Sequence, residues 1–487
     1  MATNPIYVVI DLGTTAIRGM AATKLADGTV SPIAVAEQPA EEDVRHGAVY
    51  NIDRVAEKIG KIVNELNERL DEENLRVTSL YVGISTPSLR SEEETINAEM
   101  SSEGEEVTDK HLDYIRNKID GLSYDRRKII SLTQPYYEVN GSIEEAPKSS
   151  IASELIAHVS AITVKDRVCD NIKTVVEDRL GLKLEGILPT PIVEASICLS
   201  DTQKDLGSVF VDLGGTTTSV VIYLGGVFRR LRVLPFGGKN VTLDLTDLQL
   251  SEEDADAVKL HYAGATTNAD REKTFVIRDI DGISERSIRV LDVNRYAAAR
   301  MKEIIANVVA TVNHSGVLNR IEGGYVWTGG GIALARTEEL LRSEVRNFST
   351  YTQLLQYVDK DNAFSYEKDY HSALALAWAA ENNCTGALRH TVEGLLATEP
   401  ESRNVNSVQK SENDEEFLDD YYRTERKKRT KTKSRATNEE GNGLFSFSKN
   451  IKDRVGGFFN KFTTEEDELD TFDEDERDRE DDINDNL

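Results

Sequence analysis

Two segments far apart in the chain share one pattern that could bind a phosphate group. The first runs from Val8 to Thr15 and the second from Val209 to Thr217. In each, a run of mainly β-branched residues ends in aspartate and is followed by glycine and threonine, which predicts a buried strand with a sharp turn at its end. Glycine lets backbone N–H groups approach a ligand, and threonine hydroxyls can donate to phosphate oxygens. The repetition predicts duplicated half-domains that hold one nucleotide from opposite sides.

A third glycine-rich turn, Gly329–Gly331, follows a predicted strand at Tyr325–Trp327. The first two turns have an aspartate ahead of the glycine, Asp11 and Asp212, and the third has none. A carboxylate beside a phosphate can hold Mg²⁺ through water. This difference fits an arrangement in which the first two turns bind phosphate and the third lies against the base or ribose of the nucleotide. Each turn alone could be a tight connection without a ligand, but the similarity of the first two has no packing reason.

The composition indicates a soluble, cytosolic protein of several domains. A chain of 487 residues is too long for one core. Its apolar runs have strand length, far below the ~18 residues of a spanning helix, and its N-terminus enters the first strand without a signal segment. The formal net charge of −28 argues against nucleic acid as the main partner. The three cysteines and seven histidines fit no metal spacing, and we interpret the cysteines as reduced core thiols.

The periodicity of apolar residues predicts a mixed α/β order before residue 398. The clearest predicted elements are a strand at Ile6–Asp11, helices at Ile52–Leu70, Asp109–Ile119, Asp166–Leu180 and Arg295–Leu318, and a hairpin of Ser219–Tyr223 and Val227–Leu234 that turns at Gly225-Gly226. After about Thr398 the periodicity stops, and the segment from Ser402 to Asn442 has the composition of a disordered linker.

Together the three turns resemble the nucleotide loops of the actin and heat-shock chaperone ATPase fold. Further segments resemble the FtsA family of bacterial division proteins: Gly47–Val49 before a helix, Val82–Ser85, Phe236–Thr242, Tyr370–Ala373 and an insertion at 86–160. The resemblance covers roughly residues 5–385. It implies an α/β, actin-like (ribonuclease H-like), duplicated two-domain ATPase fold with an FtsA-type α+β insertion in the first domain.

The resemblance and the patterns divide the chain into parts. These are 1–85, the first part of actin-like domain 1; 86–160, the inserted α+β subdomain; 161–204, the second part of domain 1; 205–240 and 319–398, actin-like domain 2; 241–318, a subdomain of domain 2; 399–442, a disordered basic linker; 443–463, an amphipathic membrane-binding helix; and 464–487, an acidic tail.

The resemblance also implies site roles for ATP and Mg²⁺. Asp11 and Asp212 would lie near the magnesium, which they would hold through water, and near the attacking water, as the catalytic and metal candidates. The phosphate and nucleoside candidates are Gly13, Thr14, Thr15, Gly214, Gly215, Thr216, Thr217, Gly237, Asp256, Lys259, Gly329, Gly330 and Gly331. Asp256 and Lys259 match the family's Glu-x-x-Lys helix at the ribose and adenine. Without a ligand they would be an exposed pair of opposite charges.

Two residues of the second turn depart from the FtsA pattern, which usually reads Asp-x-Gly-Gly-Gly-Thr-Thr-Asp. Thr216 stands for the third glycine and Ser219 for the closing aspartate. Thr216 narrows the space for backbone approach to phosphate, and Ser219 removes a charge. Because the positions of water and metal govern phosphoryl transfer, we expect at most a slow ATPase that holds ATP more than it hydrolyses it.

The tail carries an apolar stripe that is typical of an interfacial helix. Its members recur three or four residues apart: Leu444, Phe447, Ile451, Val455, Phe458, Phe459 and Phe462. Basic residues surround the stripe, and a basic block at 423–435 precedes it. The stripe could instead dock on a protein groove. From Glu465 to Leu487 there are fourteen acids and two arginines, which could hold the helix off the membrane, pair with the basic block or keep the chain soluble.

These features favour a cell division adaptor over other actin-fold ATPases. The resemblance implies binding to ATP, to further copies in actin-like filaments, to FtsZ and other divisome proteins, and to lipids on the cytoplasmic face of the inner membrane at the septum. The FtsZ surface would lie around 241–318. The alternative is a pilus-assembly or chaperone ATPase with a protein-docking tail. A chaperone needs a substrate domain after residue 385, where the sequence predicts disorder, and a small-molecule kinase needs a carboxylate base that no motif indicates.

Overall fold

The computed structural model describes residues 4–144, 146–268, 272–278, 284–345, 349–351, 357–362 and 368–387. All of them belong to the first of two units, Met1–Arg389. The predicted basic linker (399–442), the amphipathic helix with its seven apolar candidates (443–463) and the acidic tail (464–487) lie outside the described residues.

The N-terminal part places one long helix against a sheet. Its elements are β1 (Ile6–Leu12), β2 (Ala16–Lys24), β3 (Val30–Pro39), β4 (Val44–Arg45), β5 (Ala48–Val49), α1 (Ile52–Leu70), β6 (Leu75–Val77) and β7 (Ser79–Ile84). Helix α1 begins where Asn51 Oδ1 accepts a hydrogen bond from the Arg54 N–H, at 3.1 Å. The apolar stripe predicted for α1 is confirmed, because Val55, Ile59 and Leu66 are among its buried residues. A Cβ on Gly19 would lie 2.2 Å from Ile62 Cγ2, which shows how closely α1 packs on β2.

The insertion forms a small α+β unit. Its elements are β8 (Arg90–Ala98), β9 (Glu105–Glu106), α2 (Asp109–Asp120), β10 (Arg127–Leu132), β11 (Tyr136–Val139), β12 (Ser142–Glu144), β13 (Ile151–Ala152) and β14 (Leu155–Lys165). The predicted helix at Asp109–Ile119 is confirmed. The sequence did not predict β8, in which exposed Glu93, Thr95 and Asn97 alternate with partly buried residues. Because glutamate is uncommon in strands, the run Glu92–Glu94 did not indicate a strand at this position.

The rest of the described chain contains the remaining elements of the first half, then the second half, and a last segment that returns to the first half. In order they are α3 (Asp166–Lys173), β15 (Lys183–Pro189), α4 (Thr190–Cys198), α5 (Asp201–Leu206), β16 (Ser208–Leu213), β17 (Thr218–Leu224), β18 (Val227–Leu234), α6 (Gly238–Leu245), α7 (Glu252–Tyr262), β19 (Thr274–Arg278), β20 (Glu285–Arg289), α8 (Val290–His314), β21 (Gly324–Thr328), α9 (Thr337–Glu344), β22 (Ser349–Tyr351), α10 (His371–Ala379) and β23 (Thr385–Ala387).

Two predicted helices have different limits in the structure. The helix predicted over Asp166–Leu180 is α-helical only to Lys173 and continues as a π-helix over Thr174–Arg179. The helix predicted over Arg295–Leu318 begins earlier, at Val290, and ends at His314. Gly316 follows with φ +72°, a left-handed conformation that commonly ends helices.

The two halves of the fold repeat one strand order. In the first, β1 pairs antiparallel with β2, which pairs with β3, and on its other side β1 is parallel to β7, which is followed by β15. In the second, β16, β17, β18, β21 and β22 have the same order and directions. The predicted duplication is therefore confirmed, and the turns after β1 and β16 occupy equivalent places.

The inserted strands extend the sheet of the second half. β8 pairs with β14 and also with β18, through Arg90 and Arg232. Beside this pair the Leu231 N–H donates to Ser91 Oγ at 3.0 Å. Among the described strands the order is therefore β12-β11-β14-β8-β18-β17-β16-β21-β22, with β10 also on β14.

The last described residues return to the first half. Helix α10 packs against α4, β1 and β2, β23 pairs with β6, and the Cys384 N–H donates to Ile6 O at 2.8 Å. The segment therefore brings side chains of α10 towards those of α4. The domain boundaries inferred from the sequence stay predictions.

Candidate functional site

The two aspartates of the repeated motif occupy equivalent strand positions. Asp11 lies near the end of β1, opposite Arg18 on β2 and beside Gly83 on β7. Asp212 lies near the end of β16, opposite Ser219 on β17 and beside Thr328 on β21. Because each strand is followed at once by its turn, the duplicated fold places each carboxylate beside one of the two turns.

The two turns contact each other. The backbone N–H of Thr216 donates to Thr14 Oγ1 at 3.1 Å. A Cβ on Gly215 would lie 2.8 Å from Thr14 Oγ1 and 2.9 Å from Thr15 Cγ2, so a larger residue at 215 would displace the first turn. The structure therefore brings Gly13–Thr15 and Gly214–Thr217 together at one place between the halves.

The third glycine-rich turn lies directly against the second. Gly329 has φ +91°, and a Cβ there would lie 2.3 Å from Asp212 Oδ1 and 2.4 Å from Leu213 O. A Cβ on Gly331 would overlap Leu213 Cδ2, and Gly330 begins a short 3₁₀ turn. These close approaches require glycine at 329 and 331. They place Gly329–Gly331 beside the Asp212 carboxylate.

Gly237 brings the start of helix α6 to the same place. A Cβ on Gly237 would lie 2.4 Å from Gly214 O, and the N–H groups of Gly238 and Lys239 donate to Gly214 O and Gly215 O at 2.9 and 2.7 Å. The first turn of α6 is therefore tied to the backbone of the second phosphate-loop candidate.

Asp256 and Lys259 form a three-residue network with Thr242. Lys259 Nζ donates to Asp256 Oδ1 at 2.6 Å and to Thr242 Oγ1 at 2.8 Å, and Thr242 Oγ1 donates to the same Asp256 oxygen at 2.8 Å. Burial alone would raise the pKa of Asp256, but the hydrogen bonds from Lys259 and Thr242 hold that pKa below its usual value. The Lys259 side chain is 18 % exposed and that of Asp256 is 45 % exposed, so the lysine of this pair is mostly buried while the carboxylate still reaches solvent.

A cavity of about 460 Å³ lies beside this network. Asp256, Lys239 and Leu260 are among its lining residues. Lys239 also joins the cavity to the second turn, because its N–H donates to Gly215 O. The residues that the sequence assigned to phosphate and to nucleoside are thus connected through the first turn of α6.

The environment of the two aspartates raises their pKa values. Burial raises the pKa of the Asp11 carboxyl to about 7; Arg18 acts in the opposite direction and the charge of Asp212 adds to the rise. Burial raises the pKa of Asp212 to about 6. Two acidic groups held close in a poorly solvated place favour the protonated form until a cation compensates their charge.

Three residues of the site were not among the site residues predicted from the sequence. His46 Nδ1 lies 3.2 Å from Thr216 O, Ser85 Oγ lies within hydrogen-bonding distance of Ser219 Oγ, at 2.7 Å, and the buried Glu194 interacts with Asp212 and Asp11. Nothing in the sequence indicated that His46, or Ser85 at the end of the family-like segment Val82–Ser85, would lie at these contacts. Glu194 had one, since it is the sole charged residue in the apolar segment Thr190–Cys198.

Asp11→Asn is expected to stabilise the protein without nucleotide, and more so at high pH. A carboxyl whose folded-state pKa is raised contributes stability below its unfolded value of 3.8, and this contribution is lost as pH rises towards 7. A difference of one pKa unit between the folded and unfolded states corresponds to about 1.4 kcal/mol. We therefore expect the difference in free energy of unfolding between Asp11→Asn and the unchanged protein to grow from pH 5 to pH 8. Urea unfolding at pH 5 and at pH 8 measures this difference. The same difference at both pH values would contradict the raised pKa of Asp11.

Comparison with known proteins identifies the family. A protein-family model described as "Cell division protein FtsA" matches residues 209–375. A cell division protein FtsA of Porphyromonas gingivalis is 39% identical over 394 residues, which cover 81% of this chain and 82% of the relative. The chain belongs to the FtsA family of cell division proteins. The FtsA of Bacillus subtilis is 25% identical over 351 residues, 71% of this chain and 78% of the relative. The resemblance inferred from the motifs is confirmed.

A solved structure shows the same fold. The "PilM-PilN type IV pilus biogenesis complex" contains a chain that superposes with a TM-score of 0.51 at 14% identity, covering 77% of this chain and 97% of that chain. At this identity the similarity concerns the fold alone, and the predicted actin-like fold of the FtsA family is confirmed. Within the residues that the structure describes, no helix is long and apolar enough to cross a bilayer.

Proposed function

We propose that this FtsA-family protein is an ATP-binding adaptor that attaches FtsZ to the cytoplasmic membrane and helps assemble the divisome. The observation that carries the proposal is the contact between the turns of the two halves, where the Thr216 N–H meets Thr14 Oγ1. A polyphosphate inserted between these turns would replace that contact with hydrogen bonds from both halves. Nucleotide would then stabilise one arrangement of the halves.

The residues at the contact fit a polyphosphate and a hydrated cation. Thr216 Oγ1 is buried without a hydrogen-bond partner among the described residues, so it is available to a ligand. Asp11 and Asp212 supply carboxylate oxygens, the ligands that Mg²⁺ prefers, and Mg²⁺ usually keeps several of its waters. When bound, magnesium would compensate the phosphate charge. The chain's own part is to position the phosphates with Gly13–Thr15 on one side and Gly214–Thr217 on the other.

The nucleoside would lie against Gly329–Gly331 and the cavity that Asp256 lines. Lys259, held by Asp256 and Thr242, would present a fixed cation beside that cavity. Hydrolysis would be slow: Ser219, in place of the family's usual aspartate, is occupied by Ser85 and brings no charge to the γ-phosphate.

Membrane attachment would come from residues 443–463 and assembly from self-association. Many copies in a filament bind a bilayer more tightly than one copy, because each further contact becomes intramolecular. The location that we propose, on the basis of family membership, is the cytoplasmic face of the inner membrane at the septum. Family membership favours this adaptor over the pilus-assembly and chaperone alternatives.

Flotation of anionic liposomes tests the adaptor function, because filaments that pellet unaided do not float. We expect FtsZ to rise with the liposomes only when this protein is present, and to rise in larger amounts with ATP and Mg²⁺ than with EDTA. Liposomes of neutral lipid are the control, since the basic residues around the stripe predict weaker binding to them. FtsZ that stays at the bottom of the gradient beside membrane-bound protein would contradict the adaptor function.

A further inference from the structure

Glu194 is a buried carboxylate with one oxygen unused. It lies on α4, and the residue is 4 % exposed. Its Oε1 accepts a hydrogen bond of 2.6 Å from Ser372 Oγ on α10. Its Oε2 has no hydrogen-bond partner within the part of the chain that the structure describes. A buried polar oxygen normally has a partner, so this one indicates a ligand or water that is not part of the chain.

Helix α4, which carries Glu194, begins beside the strand of Asp11: a Cβ on Gly83 would lie 2.6 Å from Thr190 Oγ1, and Gly83 is the neighbour of Asp11 on β7. The pKa of Glu194 is raised well above its ordinary value, first by burial and then by the charges of Asp212 and Asp11, while the Ser372 hydrogen bond opposes the rise. Thr190, one helical turn earlier on α4, also has a buried hydroxyl without a partner among the described residues. Two partnerless oxygens one turn apart lie on the same side of the helix.

A hydrated cation would satisfy these groups through its bound water. Among the described residues no three His, Cys, Asp or Glu side chains are arranged to hold one metal ion directly. Mg²⁺ keeps several waters, and its bound water donates hydrogen bonds to carboxylates. A cation with its water shell, held between three acidic side chains, would compensate their charges. Each side chain would then no longer carry the free-energy cost of a buried, unpaired charge.

We propose that Glu194 is a third carboxylate of the cation site, whose Oε2 accepts a hydrogen bond from the water shell of the Mg²⁺ that accompanies the nucleotide. The inference rests on the proposed ATP binding and extends it to a residue outside the repeated motifs. Ser372 is the positioning residue, because its hydrogen bond fixes Oε1 and thereby directs Oε2. The contact joins magnesium binding to α10, the helix that returns to the first half.

Glu194→Gln tests the inference by calorimetric titration with ATP, once in Mg²⁺ and once in EDTA. The amide keeps the size of the side chain and can still accept the Ser372 hydrogen bond. We expect the increase in ATP affinity caused by Mg²⁺ to fall about tenfold, as for loss of a hydrogen bond to a charged group. Affinity in EDTA should stay the same or rise, because one negative charge near the phosphates is gone.

Two further variants keep the test decisive. Glu185→Gln changes a buried glutamate of β15 that is held by Lys183, and it should leave the magnesium effect unchanged. Ser372→Ala should lower the magnesium effect by a smaller factor than Glu194→Gln. An unchanged magnesium effect in Glu194→Gln, or equal losses with Mg²⁺ and EDTA, would overturn this inference alone. If the unchanged protein binds no ATP, the proposed function falls with it.

Discussion

A chain that ends at Asn442 is expected to leave anionic liposomes entirely, whereas a chain that ends at Thr463 should stay bound. The first lacks the apolar stripe, and burial of one Phe side chain contributes roughly 1.5–3 kcal/mol. The second lacks only the acidic tail, whose fourteen acids would be repelled by anionic lipid, so it should bind at least as tightly as the whole chain. Liposome flotation measures both, and equal binding by the two truncated chains would refute the membrane helix.

Two single substitutions distinguish the loss of an apolar contact with the membrane from the effect of an added negative charge. On an α-helix Phe458 lies within the stripe and Asn460 lies on the opposite side. Phe458→Glu should therefore weaken liposome binding about tenfold or more, since each 1.4 kcal/mol changes affinity tenfold, whereas Asn460→Glu should have a much smaller effect. Equal losses in the two variants would favour charge alone. Protein that floats unchanged in both would favour the alternative of a stripe docked on a protein groove.

Asp212→Asn is expected to lower the affinity for ATP with Mg²⁺ about tenfold to a hundredfold. The carboxylate lies between the second and third turns, with Oδ1 facing Gly329, and an amide cannot attract the hydrated cation as a charge does. The same change should raise the melting temperature of the nucleotide-free protein, because burial raises the pKa of Asp212 to about 6 and ionisation at neutral pH is costly.

Asp201→Asn is the matched control for Asp212→Asn. Its side chain is 96 % exposed at the start of α5, so neither ATP affinity nor stability should change appreciably. Calorimetric titration and thermal unfolding of both variants provide the comparison. Magnesium-dependent affinity that survives Asp212→Asn would remove this carboxylate from the site.

Local sequence patterns predicted the features that depend on neighbours along the chain. Helix α1 has the limits expected from its apolar period, and the hairpin of β17 and β18 turns at Gly225-Gly226 as expected. The repeated motif predicted the duplicated halves, because a strand, a carboxylate and a tight turn are all coded within a few residues. Ser219 and Thr216 were recognisable as departures from the family, but their contacts with Ser85 and Thr14 were not.

Contacts between segments far apart in the chain could not be predicted from local sequence patterns. The pairing of β8 with β18, the return of α10 to the first half and the hydrogen bond from Ser372 to Glu194 each join residues far apart in the chain. Their energy comes from burial and from pairing of polar groups that come together only after the sheets have formed. The amino-acid order therefore specified the family, the turns and the candidate aspartates. The partners of Ser219, the neighbours of Glu194 and the raised pKa values arose from folding, because each depends on which surfaces lose their water.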